Sequence, residues 1–385
     1  MTWIKKKLGE VLTIERGGSP RPIDKYLTNS PDGINWIKIS DATASDKYIF
    51  ETKEKITKEG LHKTRMVNEG DFILSNSMSF GRPYIMKTTG CIHDGWLVLK
   101  ENGQKIFDTE FLYYLLSSPY VFNQFDYLAA GSTVRNLNIA LVSSVEVPIP
   151  PLPEQQRIVS ILDEAFSVIE RSRNNAEQNL KNAAALFESY LQGVFEKKGD
   201  GWEEKKLGEV IEYDKNQNIH KGLPYVGLEH IESNSGRFIG SLEPQVVKSS
   251  TFYFNEQHVL YGRLRPYLNK VLLPDFEGHC STEIFPIKVE KQIAREFLFY
   301  WLIAGSTVKK IDATWTGARM PRANMNQVIE FDFAFPPLKE QQTIVSQLDA
   351  LRAETQKLEA VYQKKLDDLE ELKKSVLRKA FAGEL

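Results

Sequence analysis

Cysteine is nearly missing from this chain: Cys91 and Cys280 are the two found in 385 residues. They fall at corresponding places of a repeat described below. Two separate buried thiols are therefore expected, not a disulfide, which suits a reducing cytoplasm. Long apolar runs are missing as well. Nothing approaches the roughly 18 consecutive apolar residues that a membrane span requires. The basic start, Met1 to Leu12, lacks the apolar core of a signal peptide. No membrane association is expected. Charge of one sign is also lacking, since 49 Lys and Arg stand against 51 Asp and Glu, a net of −2. That balance neither supports nor excludes nucleic acid, because a DNA binder of this composition must gather its cations on one face.

Catalytic signatures are absent too. The sequence holds no phosphate-binding Gly-rich loop ending in Lys-Ser/Thr, no His-Glu-x-x-His, no Cys-x-x-Cys and no Gly-x-Ser-x-Gly. It also lacks the Asn/Asp-Pro-Pro-aromatic run of amino-methyltransferases. His93 and His279 lie near Cys91 and Cys280, but one His and one Cys per domain make a poor metal site. Ordinary core residues are the better reading. No metal or cofactor site is expected, and the chain reads as non-catalytic.

What the sequence does contain is a repeat. Pro150-Pro151-Leu152-Pro153-Glu154-Gln155-Gln156 returns as Pro336-Pro337-Leu338-Lys339-Glu340-Gln341-Gln342. The two stretches then align without a gap: Leu162-Asp163 with Leu348-Asp349, Tyr190-Leu191 with Val376-Leu377, Phe195 with Phe381. A constant register over that length is a strong repeat signal. Each copy reads as one helix, with proline confined to its entry and Glu154 or Glu340 in the first turn, where the helix dipole favours negative charge. A helix of about 42 residues spans roughly 63 Å. Leu348, Leu351, Thr355, Leu358, Tyr362, Lys365, Leu369, Leu372 and Val376 alternate three and four apart, a heptad seam. The first copy repeats it more weakly from Leu162 to Tyr190. Asn179 and Lys365 take equivalent seam positions, where a polar residue fixes register at some cost in stability. The two helices are expected to pack on each other.

The repeat extends over the whole chain. Lys6-Lys7-Leu8-Gly9-Glu10-Val11, behind Trp3, returns as Lys205-Lys206-Leu207-Gly208-Glu209-Val210, behind Trp202. Each unit is thus a globular segment followed by a long helix, with bounds 1–149, 150–198, 199–335 and 336–385. The globular segments carry short apolar runs between turn residues, such as Phe72-Ile73-Leu74 and His258-Val259-Leu260-Tyr261, which read as strands of mainly β domains. Each also has a short helix, Glu110–Leu116 or Glu296–Leu302, followed by a Gly-led polar turn from Gly131 or Gly317 to Asn138 or Asn324. The expected fold is α+β: two mainly β domains at opposite ends of a long antiparallel two-helix coiled coil, related by a pseudo-two-fold internal repeat.

The twin Pro-Pro-Leu-x-Glu-Gln entries, the twin Lys-Lys-Leu-Gly-Glu-Val stretches, the Gly turns at 131 and 317 and the matching helix ends together resemble the specificity subunits of type I restriction-modification enzymes. The resemblance covers essentially the full chain. One departure is Val134-Arg135-Asn136-Leu137-Asn138 after the first turn against Met320-Pro321-Arg322-Ala323-Asn324 after the second, so the two turns need not make equal contacts. The resemblance implies that each domain is a target recognition domain reading one half of a bipartite, asymmetric site on double-stranded DNA. It implies partners: two methyltransferase subunits that carry S-adenosylmethionine and methylate adenine N6, and motor-nuclease subunits for restriction. This chain would bind no cofactor and act in the cytoplasm. Two other readings stay open: the specificity subunit of a related phage-defence modification system, and a coiled-coil scaffold whose end domains bind proteins.

Two loops per domain are candidates for DNA contact. In the first domain Ser75, Asn76, Ser77, Arg82 and Tyr84 follow a strand; in the second Arg263, Arg265 and Tyr267 do. Both loops end Arg-Pro-Tyr. Arg suits a bidentate contact to guanine and Asn to adenine, while Ser holds phosphate. The alternative is a structural turn with its Tyr in the core. The Gly turns add Ser132, Thr133 and Arg135, then Arg319 and Arg322, for phosphate or partner contact or for capping of the next segment.

Overall fold

The computed structural model describes residues 3–43, 45, 47–76, 80–130, 136–317 and 319–385. Contacts divide the chain into two compact units, residues 1–175 with 365–385, and residues 176–364. These do not follow the bounds between globular segments and helices, because each unit takes part of both long helices. The helices run Leu152–Lys197 and Leu338–Ala382, 46 and 45 residues long. Among the described residues no helix is long and apolar enough to cross a membrane.

In the first unit a short ribbon pairs Ile4–Lys7 with Glu146–Ile149, antiparallel. Two five-stranded sheets follow. One runs Leu12–Arg16, Trp96–Glu101, Phe72–Ser75, Pro83–Met86, Tyr48–Ile49; the other Leu27–Thr28, Glu54–Ile56, Ile34–Ile37, Gly90–Ile92, Arg65–Val67. The second unit repeats the plan in shorter form. Its ribbon pairs Glu203–Lys206 with Asp332–Phe335. Its sheets have four strands each: Ile211–Tyr213, Ile284–Val289, Val259–Gly262, Val271–Leu272, and Gln217–Asn218, Thr251–Phe254, Gly278–Cys280, Tyr225–Val226. Most pairs are antiparallel, but a parallel pair lies at the cysteine of each unit, and the first unit has a second parallel pair between Tyr48–Ile49 and Pro83–Met86. Cys91 lies opposite Trp36 and Cys280 opposite Val226. Both thiols are free and buried, and burial pushes each thiol above its usual range.

The repeated residues lock each domain to a long helix. Gln155 and Gln341 are fully buried. Gln155 accepts from the Asp108 amide at 2.7 Å and donates to the carbonyls of Ile106 and Pro150 at 3.0 and 2.9 Å. Gln341 accepts from the Ala294 amide at 2.8 Å and donates to Gln292 and Pro336 at 2.9 and 2.8 Å. One side chain thus satisfies three backbone groups that would otherwise be buried without partners. The Tyr114 hydroxyl donates to Asp163 and the Tyr300 hydroxyl to Asp349. Burial first, and then the neighbouring carboxylate, pushes both phenols far above their usual range.

The far ends of the helices dock crosswise. Phe381, from the end of the second helix, meets Phe111 in the first unit with ring centroids 5.4 Å apart. Phe195, from the end of the first helix, meets Phe297 in the second unit at 5.2 Å. Within each unit the helices are antiparallel: Lys373 lies over the Phe166 ring at 5.5 Å, and the Tyr190 hydroxyl reaches Gln347 at 3.2 Å. Among the buried positions of the first helix, Leu162, Ile169, Ala176 and Ala183 are spaced by sevens, as a heptad seam requires. Asn179 and Lys365 are exposed, contrary to the seam assignment, and Leu180 and Leu366 are half-buried beside them. The seam steps four and then three residues there instead of three and then four, while Ala176, Ala183, Tyr362 and Leu369 on either side keep their places.

In the first unit the chain ends come together. The Arg157 guanidinium donates to the Leu385 carbonyl at 2.7 Å. A methyl group added at Gly383 would touch the Trp3 ring at 3.7 Å. A circular permutant that joins Leu385 to Met1 through a short linker, and opens at the exposed Gly199–Gly201 turn, is expected to keep the native circular dichroism spectrum and a cooperative melt. An unfolded permutant would sink the repeat topology.

Candidate nucleic-acid interface

In the first domain the Ser75–Arg82 loop is closed at its base. The Ser75 amide donates to Arg82 at 3.1 Å, and the Gly81 amide to Ser75 at 2.9 Å. Gly81 has φ +73°, and a Cβ there would sit 3.0 Å from the Phe125 ring, so glycine is required. Ser75 and Asn76 are buried. The Asn76 amide side chain donates to the Asp94 carbonyl at 2.8 Å, and its backbone carbonyl accepts from Leu137 at 2.8 Å. That last bond ties the loop to the end of the Gly-led turn. Asn138 then caps the next short helix by accepting from the Leu141 amide at 2.9 Å. Tyr84 is fully buried beneath the exposed Arg82, whose guanidinium lies 5.3 Å from the Tyr84 ring centre. Ser75, Asn76 and Tyr84 therefore shape the loop from inside and are not presented to a ligand, whereas Arg82 is. Ser77, Ser132, Thr133 and Arg135 lie outside the described residues.

The second domain brings the same two loops together in a different conformation. Arg265 has φ +52° and Asn269 φ +47°, and Pro266–Leu268 form a single tight turn between them. The Arg-Pro-Tyr of this domain is thus a tight helical turn entered through a left-handed Arg265, with Tyr267 exposed at 51%, while in the first domain Pro83 and Tyr84 begin a strand. Identical tripeptides do not imply identical contacts. The Arg265 amide donates to Pro321 at 2.7 Å, and the Ala323 amide to Arg263 at 2.9 Å, which joins this loop to the Gly317 turn. Asn324 caps the next helix by accepting from Asn326 at 3.2 Å, as Asn138 does in the first domain.

Arg263 and Arg322 are engaged within the protein. Arg263 donates to Glu283 at 3.0 Å, and Arg322 grips the same carboxylate with two nitrogens at 2.8 and 2.9 Å. Partial burial pushes the Glu283 carboxyl up, but the two guanidinium groups outweigh it and hold it below its usual range. The pair stiffens the junction of the two loops. Arg265 and Arg319 are exposed, and among the described residues neither forms an ion pair. The described residues thus bring together a pair of joined loops per domain, with exposed arginines at 82, 265 and 319.

Each unit also carries a groove where its long helices meet its short ones. That of the first unit is about 790 Å³ and that of the second about 590 Å³. Glu370, Lys373, Lys374 and Leu377 line the first; Ala184, Phe187, Glu188 and Leu191, their repeat counterparts, line the second. The chemistry differs. The first adds Lys47 and Arg82 to Phe80, Tyr113, Phe122 and Phe166, while the second mixes Glu188 and Glu359 with Lys309 and Arg352. Lys47 lies 4.7 Å from the Tyr113 ring centre and 5.0 Å from that of Tyr114, and it pairs with Glu110. Burial lowers its pKa. No cluster of metal-ligating side chains occurs among the described residues.

The family model for the type I restriction modification DNA specificity domain matches residues 1–181 and again 199–368. The chain is a type I restriction-modification specificity subunit. Relatives include the EcoDI specificity subunit of Escherichia coli, 25% identical over 315 residues, covering 72% of this chain and 70% of the relative. The MjaIX specificity subunit of Methanocaldococcus jannaschii is 22% identical over 416 residues, covering all of this chain and 93% of the relative. Among solved structures, the HsdS subunit from Thermoanaerobacter tengcongensis shares 20% identity, with a TM-score of 0.61 over all of this chain and 97% of that one. A chain from a study of complex assembly and conformational transition of the type I R-M system superposes better, with a TM-score of 0.81, 20% identity, and coverage of all of this chain and 98% of that one. The specificity subunit fold is thus shared at low identity, with two domains and a long helix after each.

Proposed function

We propose that this specificity subunit reads an asymmetric, bipartite site on double-stranded DNA, one half through each globular domain. The observation that carries the reading is the pair of joined loops found at the same repeat position in both domains with different outward side chains. Equal placement suits two readers that meet the duplex in related orientations, and unequal side chains make the two half-sites differ. Arg82, Arg265 and Arg319 are the contacts to bases or phosphate that this assignment favours. Ser77, Ser132, Thr133 and Arg135 remain candidates by sequence. The long helices that carry the domains set the length of the unread spacer.

The subunit itself is non-catalytic. It positions two methyltransferase subunits, which carry S-adenosylmethionine and methylate one adenine N6 in each half-site. An adenine N6 inside stacked duplex is out of reach, so the partner flips the base while this subunit holds the DNA. Two grooves at matching repeat positions suit two copies of one partner. Motor-nuclease subunits join the complex for cleavage, and the complex works in the cytoplasm, where its DNA lies.

The test is methylome sequencing of a host that expresses this chain with its methyltransferase partner. One asymmetric, bipartite N6-methyladenine motif is expected, lost when the chain is deleted. Arg82→Ala is expected to relax one position of that motif, since a bidentate contact discriminates by about 1–3 kcal/mol. A stable complex that methylates no motif would favour a protein-binding scaffold instead.

A further inference from the structure

We propose that Trp315 and Met320, exposed on the second domain's Gly-led loop, form an apolar wedge that enters the base stack of one half-site. This rests on the DNA-reading function above and assigns to particular side chains a step that the function does not require. Three large apolar side chains stand exposed on the two joined loops: Trp315 at 51%, Met320 at 47% and Tyr267 at 51%. All three sit on loops that are joined by backbone hydrogen bonds.

The support beneath them is stiff. Thr316 and Arg322 exchange two backbone hydrogen bonds, 3.0 and 3.1 Å, and Gly317 reverses the chain at φ +94°. The Arg322 side chain is clamped to Glu283. Pro321 is fixed by the Arg265 amide, and the Asn324 amide donates to the Thr314 hydroxyl at 3.1 Å. A hydrogen-bonded stem that carries exposed apolar side chains can hold them against the bases.

Arg265 and Arg319 stand exposed on the same two loops. Their charge is complementary to phosphate and picks a duplex over an apolar protein surface as the occupant. Proteins that unstack DNA combine these parts: an apolar side chain between base steps, and cations on the flanking backbone. The first domain lacks the counterpart of Trp315. Its matching residue is Ala129, which is buried. Distortion is therefore assigned to the second domain's half-site.

The experiment uses the assembled complex of this chain with its methyltransferase partner, without S-adenosylmethionine. The duplexes carry the methylated motif with 2-aminopurine at successive steps of either half-site, away from the target adenines. A fluorescence rise is expected at one or two steps of the second domain's half-site. It should fall to the free-duplex level with Met320→Ala or Trp315→Ala, persist with Met320→Leu, and leave the other half-site unchanged. Affinity for the target should drop about tenfold with the alanine variants. Tight, specific binding with no rise at any step, or a rise that survives both alanine substitutions, overturns the wedge and leaves the DNA-reading function standing. Loss of assembly with the methyltransferase in the alanine variants also overturns it, since the turn then belongs to a protein interface. Absence of DNA binding by the wild-type complex overturns both.

Discussion

Replacing Gln155 by alanine is expected to cost the first unit about 3 kcal/mol or more. Its amide serves one amide hydrogen and two carbonyls in a site closed to water, and each buried group left without a partner costs about 1–3 kcal/mol. Gln341→Ala should do the same in the second unit. Urea unfolding of the whole chain, with hydrogen exchange to locate the loss, checks both, and costs under about 1 kcal/mol would show that the amide lock is dispensable. Gln155→Glu adds a pH signature. An ionised carboxylate there would face the carbonyl oxygens of Ile106 and Pro150, so the folded state favours the protonated acid and raises its pKa above the unfolded value near 4.3. The variant's stability is then fully present below that unfolded value and is lost as pH rises through the raised folded one. The wild-type amide shows no such dependence at this site.

Phe381→Ala is expected to destabilise by about 3–5 kcal/mol, the usual cost of removing a buried phenylalanine. The location of the damage is the sharper outcome. Phe381 belongs to the core of the first unit, with Phe111, Leu162 and Leu377. Hydrogen exchange should therefore accelerate in the N-terminal domain and not in the domain that precedes the second helix in sequence. Phe195→Ala should do the reverse and loosen the second unit, where Phe195 packs on Phe297 and near Trp202. If each substitution instead loosened the domain just before it in the chain, the crosswise docking would be wrong.

The sequence carried the repeat and the two helices because both are written in local pattern: identical entries, proline at the start only, apolar residues at helical spacing. It carried the separate buried thiols for the same reason. The amide lock was out of reach. Glu154-Gln155-Gln156 looks like any polar first turn, and what distinguishes Gln155 is a pair of partners some 50 positions earlier in the chain. The seam's polar positions were misplaced by one residue because residues three and four apart both lie on the same helix face, so pattern alone does not choose between Lys365 and Leu366, and it is Leu366 that is half-buried. The loops were located, but the roles within them were not separable. Ser75, Asn76 and Tyr84 look as available as Arg82 in one dimension and are buried in three. Arg263 and Arg322 look like DNA contacts until Glu283 appears between them. The left-handed backbone at Arg265 gives Arg-Pro-Tyr a shape that its own sequence does not prescribe.

The first unit is built from residues 1–175 and residues 365–385. Those segments leave the ribosome separated by the whole of the second unit. At about 5–20 residues per second the nascent chain carries an unfinished first core for some ten seconds or more before its closing piece emerges. The second unit, contiguous from 176 to 364, has all of its sequence available sooner. The domain made first is thus the one finished last, and its unsealed apolar surface around Phe111 is where a chaperone would be needed. Removing residues 365–385 would then leave its mark on the distant first domain.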